Sequence, residues 1–175
     1  MHNQQKKIKK IAGEDIFRFE MKRLNTKGGS CFFLGSSQEV LNKILERASA
    51  EYPNLKIGCY SPPYKQKFSE LDTKLMLDNV NDFDPTTLFI GMTAPKQEIW
   101  AYENFKKISA DRLISIGAVF DFYAGTIKRA PKWLINLGLE WLYRLIKEPK
   151  RMWKRYLIGN VIFMFSIIRE KIIKS

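Results

Sequence analysis

The sequence predicts an α/β fold: a Rossmann-like parallel sheet of about four strands with flanking helices, followed by a C-terminal helical appendage. Short apolar runs that end in or near glycine alternate with longer amphipathic stretches, the pattern that strand–helix–strand units leave in a sequence. The breaks between them fall at turn residues. After Gly125 the alternation stops, and a basic stretch rich in tryptophan and tyrosine takes over.

Strands are expected at 30–34, 55–60, 87–90 and 113–116, and helices at 14–26, 38–51, 67–80 and 95–108. Ser36 and Glu39 form an S-x-x-E capping box directly after the first strand, which sets the start of the second helix. Pro53 and Asn54 interrupt the chain before the second strand, and Asp84-Pro85 does the same before the third. Pro95 suits a first helical turn, where its missing N–H removes nothing. Beyond Gly125, residues 133–147 and 150–174 read as two helices separated by Glu148-Pro149, with no further strand. The expected organisation is therefore an α/β domain at 1–125 and an appendage at 126–175.

Charge divides the same way. Residues 126–175 carry 12 Lys+Arg against 3 Asp+Glu, whereas 31–125 carry 10 against 12, and the whole chain stands at +12. A partner with negative charge follows, whether a phosphorylated ligand, an anionic membrane surface or a nucleic acid. With 175 residues and 45% hydrophobic content the chain can bury one core. The N-terminus has cations but no apolar stretch or cleavage-like site, so a cytoplasmic location is expected. Cys31 and Cys59 lie in strand-like runs and read as small buried thiols, not a disulfide. One histidine and no paired cysteines leave no expected metal site, and no cofactor is expected. The longest uncharged run near the end, residues 156–168, is 13 residues, short of the roughly 20 that cross a bilayer.

In such sheets ligands collect beyond the carboxyl ends of the strands, where helix N-termini favour anions. Three segments qualify. Gly35-Ser36-Ser37 reads as an ordinary helix cap. Gly91-Met92-Thr93-Ala94-Pro95-Lys96-Gln97-Glu98 puts a lysine at the positive end of a helix, which is unfavourable unless something anionic compensates it. Glu98 matches the dipole there, while the amide of Gln97 suits a sugar or a base edge. In Gly117-Ala118-Val119-Phe120-Asp121 a carboxylate sits among aromatic residues and needs partners. A ligand role and a buried carboxylate held by backbone amides both account for Asp121.

In the appendage Arg144 and Arg151 are two helical turns apart and Arg155 follows at i+4, with Pro149 bending the register. The interleaved Trp141, Tyr143, Trp153 and Tyr156 favour convergence on a diphosphate over a solvated basic face. Rings beside cations also suit a membrane interface, where each cation near an anionic leaflet is worth about 1 kcal/mol. Packing into an oligomer contact is the alternative for the apolar run that follows.

Three spaced motifs carry a resemblance: GMTAPKQE at 91–98, GAVFDFYAGTIKRAPKW at 117–133 and GLEWLYRLIKEPKRMWKRY at 138–156. In order and length they resemble the WecG/TagA/CpsF glycosyltransferases, over nearly the whole chain from about Ile11. The resemblance implies inverting transfer of an N-acetylmannosamine-type sugar from a UDP donor to a polyprenyl-diphosphate-linked acceptor, peripherally at the inner face of the plasma membrane. It implies no nucleic acid beyond the nucleotide sugar. Gly91, Pro95, Lys96, Gln97, Glu98, Asp121 and Arg129 fall in the motifs expected to bind substrate. Arg144 and Arg151 are expected near the diphosphate, with Lys154 or Arg155 as a third cation. The resemblance also implies that members usually carry a further N-terminal segment with an N-x-D-G-like motif whose aspartate is the proposed base. Neither Asp15 nor Asp78 sits in such a motif, so no catalytic residue is assigned. Because general-base assistance is worth about 10²–10⁴ in rate, two expectations stand side by side. One is a transferase, active as it is, as a homo-oligomer, or with a separately encoded N-terminal half. The other is a non-catalytic relic or accessory subunit that binds membrane and nucleotide.

Overall fold

A computed structural model describes residues 11–128, 130–137, 139–147 and 149, without the side chains of Lys132, Asn136, Glu140 and Arg144. In chain order the elements are α1 (Gly13–Lys27), β1 (Ser30–Gly35), α2 (Gln38–Glu51), β2 (Lys56–Tyr60), α3 (Glu70–Phe83), β3 (Thr87–Gly91), α4 (Lys96–Asn104), β4 (Arg112–Ser115), α5 (Val119–Ala124), α6 (Lys132–Asn136) and α7 (Glu140–Lys147). A single 3-10 turn, Phe105–Lys107, follows α4. By contacts the chain forms two compact units, Met1–Ile127 and Lys128–Ser175.

The first unit is the expected α/β layer structure. Its four strands are all parallel and lie in the order β2-β1-β3-β4. β1 and β3 are apolar on both faces and buried almost throughout, as central parallel strands must be. β2 and β4, at the edges, are only partly covered among the described residues. One face of the sheet packs on α1, α2 and α5 through Phe17, Met21, Leu24, Leu41, Ile44 and Phe120, all nearly inaccessible to solvent. The other face packs on α3 and α4 through Met76, Val80, Trp100 and Ala101. Rings dominate the first face. Phe33 stacks on Phe89 with centroids 5.6 Å apart, Phe120 meets Phe33 edge-on at 5.5 Å, and Phe17 meets Tyr123 at 4.8 Å. Both cysteines are free: Cys31 is buried, which pushes its thiol pKa well up, and Cys59 is half-buried.

Local chemistry explains the boundaries, and in four places it departs from the sequence expectation. Ser37, not Ser36, caps α2, its hydroxyl accepting from the Val40 amide at 3.4 Å. Gly35 (φ 119°) and Ser36 (φ 62°) both take left-handed backbone to leave the strand, which moves the cap one residue on. Glu39 pairs instead with Lys43 at 2.8 Å. The reciprocal capping box belongs to α3, where the Ser69 hydroxyl accepts from the Asp72 amide and the Asp72 carboxylate accepts from the Ser69 amide at 2.8 Å. That helix starts at Glu70, not 67, and runs to Phe83, stopped by left-handed Asp84 before Pro85. α4 ends at Asn104 and tightens into the 3-10 turn rather than continuing to 108. α5 lies where the sequence suggested only a strand-end loop; six residues are too few to register a helical period.

In the second unit the helix expected at 133–147 is two helices, α6 and α7, and the Leu139 amide donates to Leu134 O at 2.8 Å. Trp133, Leu137, Trp141 and Ile146 are exposed. The helix expected at 150–174 lies outside the described residues.

Gly91 sits directly beneath the Phe120 ring, and a Cβ there would overlap it. Gly91→Ala is expected to displace the ring and lower the unfolding free energy by about 1–3 kcal/mol, read as a lower midpoint in urea denaturation. An unchanged midpoint would show that the ring does not seal the strand end.

Candidate functional site

The sheet order places a topological switch between β1 and β3: the connection after β1 leads to the α2 face and that after β3 to the α4 face, opening a crevice at their carboxyl ends. Glycines let the strand ends approach. Gly35 pairs in register with Gly91, and a Cβ on Gly35 would lie 2.6 Å from the Gly91 carbonyl oxygen. The segment after β4 joins them, since the amides of Ile116 and Gly117 both donate to Ile90 O, at 2.9 and 3.3 Å. The segment after β2 is tied in by the Ser61 hydroxyl, which donates to Ser36 O at 2.8 Å.

The loop after β3 is organised around Gln97. Its side chain is buried; Oε1 accepts from the Met92 amide at 3.2 Å and Nε2 donates to Glu98 Oε1 at 2.7 Å. From sequence this amide was expected to read a sugar or base edge; in the fold its Oε1 and one of its two Nε2 protons bond within the protein. Gln97 thereby closes the turn between Gly91 and α4 and supports Gly117, whose backbone (φ 50°) passes beside it. The peptide bond Ala94-Pro95 in this turn is cis, and Pro95 occupies the cap position of α4 with an exposed ring.

Lys96 folds back over the loop after β2. Its ammonium donates to Lys65 O at 2.8 Å and faces the rings of Phe68 at 4.5 Å and Tyr64 at 5.8 Å. Burial pulls its pKa below the usual lysine range. The loop is braced from below by Lys65, whose ammonium meets both oxygens of Asp72 at 2.9 Å. That hydrogen bond, with those from the Ser69 amide and hydroxyl, holds the Asp72 carboxyl down to about 2. Tyr64, Lys65, Gln66, Thr93, Ala94 and Lys96 line a half-open cavity of about 210 Å³.

Of the residues proposed from sequence, the structure brings Gly91, Lys96 and Gln97 together at the strand ends, with Pro95 and Glu98 exposed beside them. Asp121 is half-buried in α5, and Thr126 Oγ1 donates to its backbone carbonyl at 3.1 Å. The aromatic neighbourhood inferred for it is split by the helix: Phe120 and Tyr123 face the core, whereas Asp121 and Phe122 are only partly covered. Arg129, Arg151, Lys154 and Arg155 lie outside the described residues; Arg144 is in α7, its side chain outside the description. Sequence reasoning missed Tyr64, Lys65 and Gln66, and named Thr93 only as part of the 91–98 segment. The Pro62-Pro63 turn before Tyr64 marks a loop, but nothing local shows that this loop meets Lys96. Among the described residues no cluster suits a metal ion, and no helix is long and apolar enough to cross a membrane.

The pattern of the glycosyl transferase WecG/TagA/CpsF family matches residues 1–175. A protein of Bacillus subtilis (strain 168) named N-acetylglucosaminyldiphosphoundecaprenol N-acetyl-beta-D-mannosaminyltransferase is 36% identical over 163 residues, 93% of this chain and 60% of that protein. Proteins of the same name are 30% identical in Bacillus spizizenii (strain ATCC 23059 / NRRL B-14472 / W23), over 85% of this chain and 55% of theirs, and 26% identical in Staphylococcus aureus (strain MW2), over 93% and 61%. The chain thus spans about 60% of the length of these curated relatives.

Two outcomes follow from the site's geometry. Gln97→Ala leaves the buried Met92 amide without its acceptor and is expected to cost about 1–3 kcal/mol of stability, measured by urea denaturation without ligand; an unchanged stability would show that the amide does not hold the turn. Because the Asp72 carboxyl has a folded pKa below its unfolded value, its contribution is full above about pH 4 and is lost as pH falls toward 2. Thermal melts of wild type and Asp72→Asn should therefore differ most above pH 4 and converge near pH 2; a constant gap across that window would show that the carboxylate's charge is not what braces the loop.

Proposed function

Because the chain belongs to the WecG/TagA/CpsF family of glycosyl transferases, we propose that it is an inverting glycosyltransferase that moves an N-acetylmannosamine-type sugar from a UDP donor to a polyprenyl-diphosphate-linked acceptor in surface-polymer synthesis. The observation that carries this reading is the crevice at the switch between β1 and β3, where the loops after all four strands meet with a half-buried cation among them. The relative that is 36% identical over 163 residues bears a name that specifies mannosaminyl transfer to a diphospholipid. No finding favours the accessory-subunit alternative.

In this reaction an acceptor hydroxyl oxygen attacks the anomeric carbon of the donor sugar as the bond to the β-phosphate oxygen breaks. UDP departs with the bonding electrons, and the hydroxyl proton passes to a base not assigned to any residue described. The chain's part is to hold two diphosphates. The N-terminal ends of α2 and α4, which follow β1 and β3, turn their positive dipoles toward the donor. Gln97 acts by keeping the turn into α4 closed rather than by touching the sugar, with Gly91, Pro95 and Glu98 shaping the same loop.

Arg129, Arg144, Arg151 and either Lys154 or Arg155 are the cations proposed to receive the acceptor diphosphate, the arginines by bidentate contacts. The exposed Trp133 and Trp141, in a segment carrying 12 Lys+Arg against 3 Asp+Glu, support docking on an anionic membrane face, peripheral at its inner side.

The full chain, incubated with UDP-N-acetylmannosamine and a short-chain N-acetylglucosaminyl-diphosphate lipid, is expected to release UDP and form a lipid-linked disaccharide, with neither product when one substrate is left out. Absence of UDP release with both substrates present would defeat the proposal.

A further inference from the structure

The cavity between the loops after β2 and β3 is walled by two lysines, and only one of them is neutralised. The ammonium of Lys65 is taken up by both carboxylate oxygens of Asp72 at 2.9 Å. That of Lys96 has, among the described residues, no carboxylate within salt-bridge distance. Its recorded partners are a peptide carbonyl, Lys65 O at 2.8 Å, and the faces of two rings. An ammonium has three donors and this carbonyl uses one. Burial already disfavours its charge, so a ligand anion gains what water no longer supplies.

The remaining features point the same way. Lys96 opens α4, a nine-residue helix whose dipole adds to the positive potential at that end. Thr93 brings a hydroxyl to the same wall. Tyr64, 99% exposed, stands at the rim with a ring face open to a ligand. The cavity, about 210 Å³, is below the roughly 300–1,000 Å³ of sites for drug-sized ligands, so it accommodates the charged portion of a nucleotide sugar or lipid diphosphate and not the whole.

We propose that this cavity is a diphosphate subsite, in which Lys96 grips the anion, Thr93 donates a second hydrogen bond, and Tyr64 supports the group that carries the diphosphate. The assignment rests on the transferase reading for the origin of the ligand, donor or acceptor, but not for the anion chemistry itself.

The test is calorimetric titration of the full chain with UDP, inorganic pyrophosphate and farnesyl diphosphate. Wild type is compared with Lys96→Met, which keeps the stem on Phe68 without the charge, with Lys96→Arg, and with Lys74→Met, which removes a lysine paired with Asp78 on the outer surface of α3. Diphosphate binding is expected to weaken at least about tenfold in Lys96→Met, the loss of a charged hydrogen bond, to persist in Lys96→Arg and to be unchanged in Lys74→Met. A loss confined to UDP and pyrophosphate assigns the cavity to the donor; one confined to farnesyl diphosphate and pyrophosphate assigns it to the acceptor. Equal affinity of wild type and Lys96→Met for all three overturns the subsite while leaving the transferase reading intact. Pyrophosphate binding through Lys96 without UDP or farnesyl diphosphate binding by wild type supports the subsite and counts against the transferase reading. Should Lys96→Met fail to fold, Thr93→Val reports on the same wall: weaker diphosphate binding supports the subsite, and unaltered binding overturns it.

Discussion

The close approach of β1 and β3 at their carboxyl ends is the constraint on which the rest of the site depends. Gly35 lies opposite Gly91, and neither position has room for a side chain: the Gly91 carbonyl fills the space above one, the Phe120 ring the space above the other. Phe120 is itself fixed from below by Phe33, which stacks on Phe89. The ring layer under the sheet therefore sets where α5 can dock, and α5 sets where the chain after β4 can run. Since interiors pack at crystal-like density, this end of the sheet is determined by its core rather than by its loops.

The two ends of the sheet treat charge in opposite ways. At the amino ends of β3 and β4 the buried Glu20 accepts from Arg23 at 2.7 and 2.8 Å and from the Thr87 hydroxyl at 2.6 Å, with Arg112 at 3.8 Å. These bonds, Arg23 first, hold its carboxyl pKa down against the opposing effect of burial. A carboxylate so satisfied is structural, anchoring α1 to β3. At the carboxyl ends the half-buried Lys96 has a carbonyl and rings instead of a carboxylate. The α2–α5 contact is closed in the same fashion as the amino end, with Glu51 accepting from Arg47 and from the Tyr123 hydroxyl, and with Arg47 over the Tyr123 ring. The exposed i,i+4 pairs on α2 and α3 contribute little by comparison.

Strands were legible because each central strand is a short run of apolar residues covered on both faces, a pattern that survives without knowledge of its neighbours. Helix starts were legible to within a residue or a turn where a cap residue stood alone. Where two serines competed after β1, backbone at positive φ decided for Ser37, and that backbone is a consequence of the Gly35–Gly91 approach. α5 was hidden because one and a half turns carry no period. Gln97 was legible as unusual, but not as to which way its amide pointed.

Taken alone, the amino-acid order determined the α/β class, the strand positions, the family motifs and the concentration of cations at the chain's end, because each is a property of residue type and local spacing. Tertiary structure alone decided that Gln97 turns inward onto Met92, that Phe120 roofs Gly91, and that Tyr64 and Thr93 share a cavity with Lys96. Phe120 over Gly91 and Tyr64 beside Lys96 are contacts between segments joined only through the sheet, whereas Gln97 on Met92 lies within one loop whose turn is set by how it leaves β3. The first two arise from strand order and side-chain packing, for which no single stretch of sequence holds both partners; the third depends on backbone conformation that residue types alone leave open.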